Sequence, residues 1–262
     1  MKIINKNIDG GKPFDWGLTS KEYAKYRDIY PEEFYDKIRS LGFCIYPQKI
    51  LDVGTGTGVL PRNMYKYGAD WTGADISKEQ ILQAQRLSEG MDIKYIVSSC
   101  EELDFKDGTF DVITACQCFW YFAPEITAGK FARMLKKDGR VLILYMAWLP
   151  NEDETARMSE NLILKYSPDW SGAGEYVHEI PVDEYYYNYF DPEYHEEFRL
   201  NVHFTKEGWH GRVKACRAVG ASLGKDELDK WEREHLDLLD KKSDEEFDVL
   251  HYGAIAILKK KE

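Results

Sequence analysis

The chain has 262 residues, 44% of them hydrophobic and 31% charged, with a net charge of −11. That balance supports a sizeable core and argues against a protein that tracks a phosphate backbone, which needs stripes of Lys and Arg. No stretch has the length of a membrane span, the first residues contain no apolar signal segment, and the five cysteines form no C-x-x-C pair, so a cytoplasmic protein with free thiols and no membrane partner is expected.

Residues 1 to 18 are polar and contain glycine, and they are expected to form a loose arm. Ser20 to Arg27 and Pro31 to Leu41 read as helices, the second with Pro31 at its start and Gly42 at its stop. Tyr23, Tyr26 and Arg27 share a face of the first helix, either as a solvated surface or as a lid over a ligand. Phe34, Ile38 and Leu41 mark the packed face of the second. Strand and helix then alternate: strands at Lys49 to Val53, Asp70 to Asp75, Ile93 to Val97, Phe110 to Ala115 and Arg140 to Tyr145, with helices at Leu60 to Tyr67, from the Ser77/Gln80 capping box to Ser88, and at Pro124 to Leu135. Repeated βα units imply a parallel sheet covered on both faces, whose ligands bind beyond the carboxyl ends of the strands.

From Ala147 to about Glu196 the composition changes to an aromatic-rich stretch with many breakers, including Trp148, Trp170 and Tyr185 to Phe190. It reads as an insertion after the fifth strand that caps the site, some of its aromatics forming its own small core. Glu197 to Phe204 alternates as a strand, Lys206 to Ala221 and Asp226 to Leu239 read as helices, and Val249 to Leu258 closes the chain as a strand. The expected division is therefore 1–146, lid helices and core; 147–196, cap; and 197–262, the rest of the core.

The chemistry concentrates in Lys49 to Val59, where a buried strand ends in Asp52 and runs into Gly54, Gly56 and Gly58 before a helix. Such a turn lets backbone approach a nucleotide-like ligand closely. The dinucleotide fingerprint needs a glycine at position 59, where Val59 stands, and it has no acid where Asp52 is. Asp75 ends the next strand, where a carboxylate can accept hydrogen bonds from both hydroxyls of a ribose.

Asp-x-Gly-x-Gly-x-Gly followed by this second acid resembles the class I S-adenosylmethionine-dependent methyltransferases. Ser99 to Leu103 with Phe105 and Phe110-Asp111-Val112, the run Cys116 to Phe122, and Tyr23 to Arg27 resemble segments of the small-molecule, type 11, branch of that family. Asp104 stands where that branch usually has proline, and Trp120 where it usually has histidine. The resemblance covers residues 19 to 145. It implies a Rossmann-like α/β fold with a seven-stranded, mostly parallel sheet and an antiparallel last strand. It implies S-adenosyl-L-methionine as cofactor and S-adenosyl-L-homocysteine as product. Cofactor contacts would fall on Asp52, Gly54, Thr55, Gly56, Gly58, Asp75, Ile76, Cys100, Glu101 and Gln117, with Tyr26 and Arg27 from the lid. Cys116 and Gln117 stand where catechol-type relatives carry a metal-binding acid, so no metal is expected. The motifs of amino-adenine, glutamine and cytosine-C5 methylation are absent after the fourth strand.

Methyl transfer from a sulfonium is an in-line displacement with a good leaving group, so it demands alignment and exclusion of water more than a fixed catalytic residue. Candidate bases are His178 and His210, each of which also suits a packing or surface role. Candidate acceptor contacts are Tyr23, Trp120, Tyr121, Trp209, Arg212 and Arg217, with Arg199 a further arginine able to fork onto a carboxylate. The expected function is metal-independent methyl transfer to a small molecule, with a carboxylate as one candidate acceptor. The alternative is a catalytically silent regulatory or assembly protein that keeps the cofactor pocket.

Overall fold

The computed structural model describes residues 3, 4, 6, 8–241 and 244–262. In chain order the main elements are α1 (Ser20–Tyr26), α2 (Glu32–Ser40), β1 (Lys49–Val53), α3 (Val59–Met64), β2 (Asp70–Asp75), α4 (Lys78–Leu87), β3 (Ile93–Val97) and β4 (Phe110–Cys116). There follow α5 (Pro124–Met134), β5 (Leu135–Trp148), α6 (Glu154–Tyr166), β6 (Phe190–Thr205), α7 (Lys206–Lys214), α8 (Lys225–Asp240) and β7 (Glu246–Lys260).

The seven strands form one sheet in the order β3-β2-β1-β4-β5-β7-β6. From β3 to β5 every neighbouring pair is parallel, with Ile50 opposite both Trp71 and Val112. β7 runs the other way. Its start meets the end of β5 where Leu149 N–H donates to the Leu250 carbonyl, and its end meets the start of β5 where Lys260 Nζ donates to the Leu135 carbonyl. Against β6 the same reversal holds, through Lys261 N–H to the Tyr189 carbonyl and Lys206 N–H to the Glu245 carbonyl. The expected seven-stranded, mostly parallel sheet with an antiparallel last strand is what the chain forms.

The central strands are apolar because both faces are covered. Ile50, Leu51, Val53, Ile113, Val141 and Ile143 are fully buried. In α2, Phe34 and Ile38 are buried with Tyr35, while Leu41 is half-exposed. Ser77 caps α4 through Gln80 N–H, as the capping box predicts. β5 begins earlier than expected, because the Asp138-Gly139 turn lies inside it. The register slips there, Phe110 pairing with Leu135 and Val112 with Arg140, so residues 136–139 are accommodated as an irregularity of the strand.

The chain divides into two compact units, each assembled from three segments. One comprises Met1–Ile29, Ala147–Val177 and Arg199–Tyr252, and the other Tyr30–Met146, His178–Phe198 and Gly253–Glu262. The expected cap, 147–196, is thus shared between them, and β6 starts at Phe190, seven residues before the strand read from the alternation. In the first unit α1 packs on α7 and α6 on α8. The expectation of a loose arm before residue 18 is corrected. Residues 1, 2, 5 and 7 lie outside the described residues, but Ile3 and Phe14 form a two-way backbone bridge and Phe14 is buried. Asp9 makes a bidentate pair with Arg217, and Asp15 N–H donates to the Ala221 carbonyl. Polarity suggested exposure, yet one buried acid and one buried aromatic ring anchor the arm.

Candidate functional site

The second unit carries the glycine turn. Gly54, Gly56 and Gly58 all have positive φ, of 63°, 56° and 74°. At two of them space is also closed. A Cβ on Gly54 would meet Cys118 Sγ at 2.7 Å, and one on Gly58 would meet the Tyr95 hydroxyl. Cys118 Sγ also donates to the Val53 carbonyl, fixing the loop after β4 against the end of β1. Neither Cys118 nor Tyr95 announces itself in the sequence, since their role depends on which strands become neighbours.

Asp75 is held at both oxygens. Gly56 N–H donates to Oδ2 at 2.9 Å and Ser77 N–H to Oδ1 at 2.8 Å. Burial pushes its pKa up and these two backbone donors pull it down. Each oxygen keeps a lone pair for a further donor. The next residue, Ile76, is an exposed aliphatic side chain. Asp52 lies deeper and accepts from Thr114 Oγ1 at 2.6 Å. Burial pushes its pKa up to about 7; the Thr114 and Thr55 hydroxyls oppose this and the charge of Asp75 adds to it. Asp52 is therefore a strut under the turn, with Thr55 N–H bonded to the Ala74 carbonyl above it.

Cys100 is buried, and Glu101 accepts from the N–H of Ala123, the residue just before α5. Gln117 has φ of 67°, and its side-chain amide donates to the Met146 carbonyl. Trp120 is 40% exposed, its ring edge-on to Tyr145 at 5.2 Å and beside Tyr121 at 5.8 Å. His178 stands 6.4 Å from the Tyr145 ring, its Nδ1 on the Glu179 carbonyl. Of the four neighbouring tyrosines, Tyr186 is buried on Thr127 and Phe119, whereas Tyr185, Tyr187 and Tyr189 are exposed. Among the described residues no three His, Cys, Asp or Glu side chains converge as a metal ligand set, and no helix is long and apolar enough to cross a membrane.

The remaining sequence candidates lie in the first unit. Tyr26 donates to Glu207 and packs against Gly211 of α7, while the Arg27 guanidinium lies over the Tyr23 ring. Four expectations are corrected. Trp209 is fully buried, with Nε1 donating to Ser159 Oγ, so it is core rather than acceptor surface. His210 pairs with His235 and stacks on Trp231, and burial lowers its pKa, so it is a packing residue rather than a base. Arg217 is taken up by Asp9 and Ser171, and Arg199 by Glu152. Arg212 differs from both. It is 5% exposed, lies over the Trp148 ring and has Cys216 Sγ as its hydrogen-bond acceptor.

The family profile described as a methyltransferase domain matches residues 51–143, the stretch from β1 to the middle of β5, as the sequence resemblance implied. A ubiquinone biosynthesis O-methyltransferase of Nitrosococcus oceani is 36% identical over 130 residues, 48% of this chain and 54% of that protein. A demethylmenaquinone methyltransferase of Thermus thermophilus is 34% identical over 103 residues, 37% of this chain and 47% of that protein. The chain spans about half the length of the curated relatives it matches. The crystal structure of the YcgJ protein from Bacillus subtilis is similar in fold, with a TM-score of 0.54 and 19% identity, covering 88% of this chain and all of that one.

Proposed function

We propose that the protein is an S-adenosylmethionine-dependent methyltransferase acting on a small molecule. The observation that carries this reading is the pairing of Asp75 with the glycine turn. A carboxylate fixed by Gly56 and Ser77 N–H groups, with a lone pair left on each oxygen, suits two vicinal hydroxyls. The turn itself has no room for side chains at Gly54 and Gly58. Those residues fit the cofactor, with the exposed Ile76 offering an apolar face to its base. When bound, it supplies a methyl group on a sulfonium, which leaves as a neutral thioether on attack by a nucleophile.

What the chain contributes is alignment and dryness. The loop carrying Cys118 is tied to β1 and Glu101 is tied to α5, so the walls of the turn are positioned before any ligand arrives. Trp120, Tyr121 and Tyr145 give the ends of β4 and β5 an aromatic wall able to exclude water. A carboxylate or thiolate acceptor needs no base. For a hydroxyl acceptor, His178 beside Tyr145 is the base candidate in this unit. The relatives named for ubiquinone biosynthesis and for methylation of demethylmenaquinone support a small-molecule acceptor. Calorimetry of the purified chain with S-adenosylmethionine and with NAD tests the reading. Tighter binding of S-adenosylmethionine is expected, and tighter binding of NAD would overturn it. A chain that binds the cofactor but never consumes it with any small acceptor would instead be the silent binding protein.

A further inference from the structure

Arg212 is a buried cation without a carboxylate. Its side chain is 5% exposed; Nη1 donates to a thiol, Cys216 Sγ, at 3.2 Å, and Nε has no partner. Its guanidinium carbon lies 4.8 Å from the centre of the Trp148 ring. Glu160, the buried acid on the same indole, is already committed to Trp148 Nε1 and to Gly174 N–H. The other charge felt by Arg212 is also positive: Arg27, half-exposed and stacked on Tyr23 at 4.7 Å. Burial and Arg27 together lower the pKa of Arg212 to about 10, so it stays charged at neutral pH. The same two arginines act on His251, fully buried in β7. Its Nδ1 is bonded to the Val249 carbonyl, its Nε2 has no partner, and burial above all pushes its pKa down to about 3. Neutral His251 with Nδ1–H turned to that carbonyl presents Nε2 as an acceptor.

Burying a guanidinium without an anion is strongly unfavourable, and an isolated charge so placed is ordinarily paired. The largely buried Arg217 and Arg140 follow that rule, the first paired with Asp9 and the second with Glu193. Among the described residues Arg212 has no such acid. Arginine is suited to what is missing, since its planar fork matches two oxygens of a carboxylate or phosphate. The surroundings define the remainder of the ligand. The Trp148 face, the Tyr23 ring and Trp16, edge-on to Tyr23 at 6.0 Å, are flat and apolar.

We propose that Arg212, with Arg27 as a second cation, binds the oxyanion of a small molecule, a carboxylate or a phosphate carried on a flat apolar body. The anion site does not depend on the methyltransferase reading. The neutral Nε2 of His251 would accept a hydrogen bond from a hydroxyl of the same ligand. Nothing in the sequence pointed to His251, which reads there as one polar position in an apolar strand.

The test uses the full chain, with benzoate, phenyl phosphate and the neutral isostere benzamide as probes, read by calorimetry and by melting temperature. At least one of the two anions is expected to bind ten or more times more tightly than benzamide and to raise the melting temperature; which of them does so separates carboxylate from phosphate. Arg212→Met should weaken that anion at least tenfold while S-adenosylmethionine binding changes less than twofold. If that variant does not fold, Arg27→Gln should weaken the same anion at least threefold. The proposal is overturned if neither anion outbinds benzamide, or if the folded variant binds the anion as the parent does. Failure of the parent to bind S-adenosylmethionine would remove the methyl-transfer reading and leave the anion result to stand on its own.

Discussion

At the end of β2, Asp75 receives a backbone N–H on each carboxylate oxygen, whereas in α7 the guanidinium of Arg212 has a thiol, an indole face and no carboxylate. Both are charges placed where water is scarce. The first is supported by its own chain, so the turn is ready before a ligand comes. The second is left for something else to complete. Only five positions beyond it, Arg217 shows the finished form of the same group, with Asp9 on both Nε and Nη2. Preorganised anion and uncompensated cation are therefore two different starting points for binding: both lose ligand on mutation, but removing the uncompensated cation also relieves a cost in the free protein.

The largest expected effect is on the completed pair. Asp9→Ala strands Arg217, whose side chain is only 10% exposed, and should lower stability by about 3 kcal/mol, read by denaturant unfolding. Removing the preorganised anion comes next. Asp75→Ala should weaken S-adenosylmethionine by about 1.5–3 kcal/mol, the worth of a charged hydrogen-bond acceptor, and unchanged affinity in calorimetry would dissolve the contrast drawn above. Gly54→Ala combines a positive φ with a collision at Cys118, and a loss of roughly 1–3 kcal/mol in stability is expected from the backbone alone. Arg212→Met should be neutral or stabilising by about 1 kcal/mol, because it removes a buried charge that lacks an acidic partner. A large destabilisation there would mean that Arg212 is as finished as Arg217.

The smallest effect at neutral pH is a change of slope. Histidines 235 and 251 have folded pKa values of about 3, below the ordinary 6.5, so the unfolded chain binds more protons between those limits. Their contribution is complete above pH 6.5 and is lost as pH falls towards 3. Asp52 works the other way. Its folded pKa of about 7 exceeds the ordinary 3.8, so its contribution is present at low pH and is lost as pH rises through that interval. In melting curves taken from pH 4 to 7, Asp52→Asn should make stability rise more steeply with pH, and His251→Gln should make it rise less steeply.

The parallel half of the sheet was legible because each strand is a short apolar run closed by a turn signal, and Asp75 was legible because it ends such a run. The boundaries of β5 and β6 were not. The Asp138-Gly139 turn sits inside a strand that resumes its register after it, and Phe190 to Glu196 is polar because it pairs near a sheet edge, where alternation is weak. Arg212 and Arg217 looked alike in one helical segment. Only tertiary structure separates them, since the partner of Arg217 lies 208 residues away in an arm whose polarity suggested no structure at all.

The position of β7 governs how the molecule can be made. It is the last strand in the chain, yet it lies between β5 and β6. Until residues 246–260 have been made, β5 and β6 both lack the strand that joins them. Each presents an open edge of unpaired backbone, a surface that invites pairing with other chains. The compact units repeat this dependence, because each takes its final segment from beyond residue 198. Closure of the sheet therefore waits until β7 has been made, and a chain that stops before β7 leaves the facing edges of β5 and β6 unpaired.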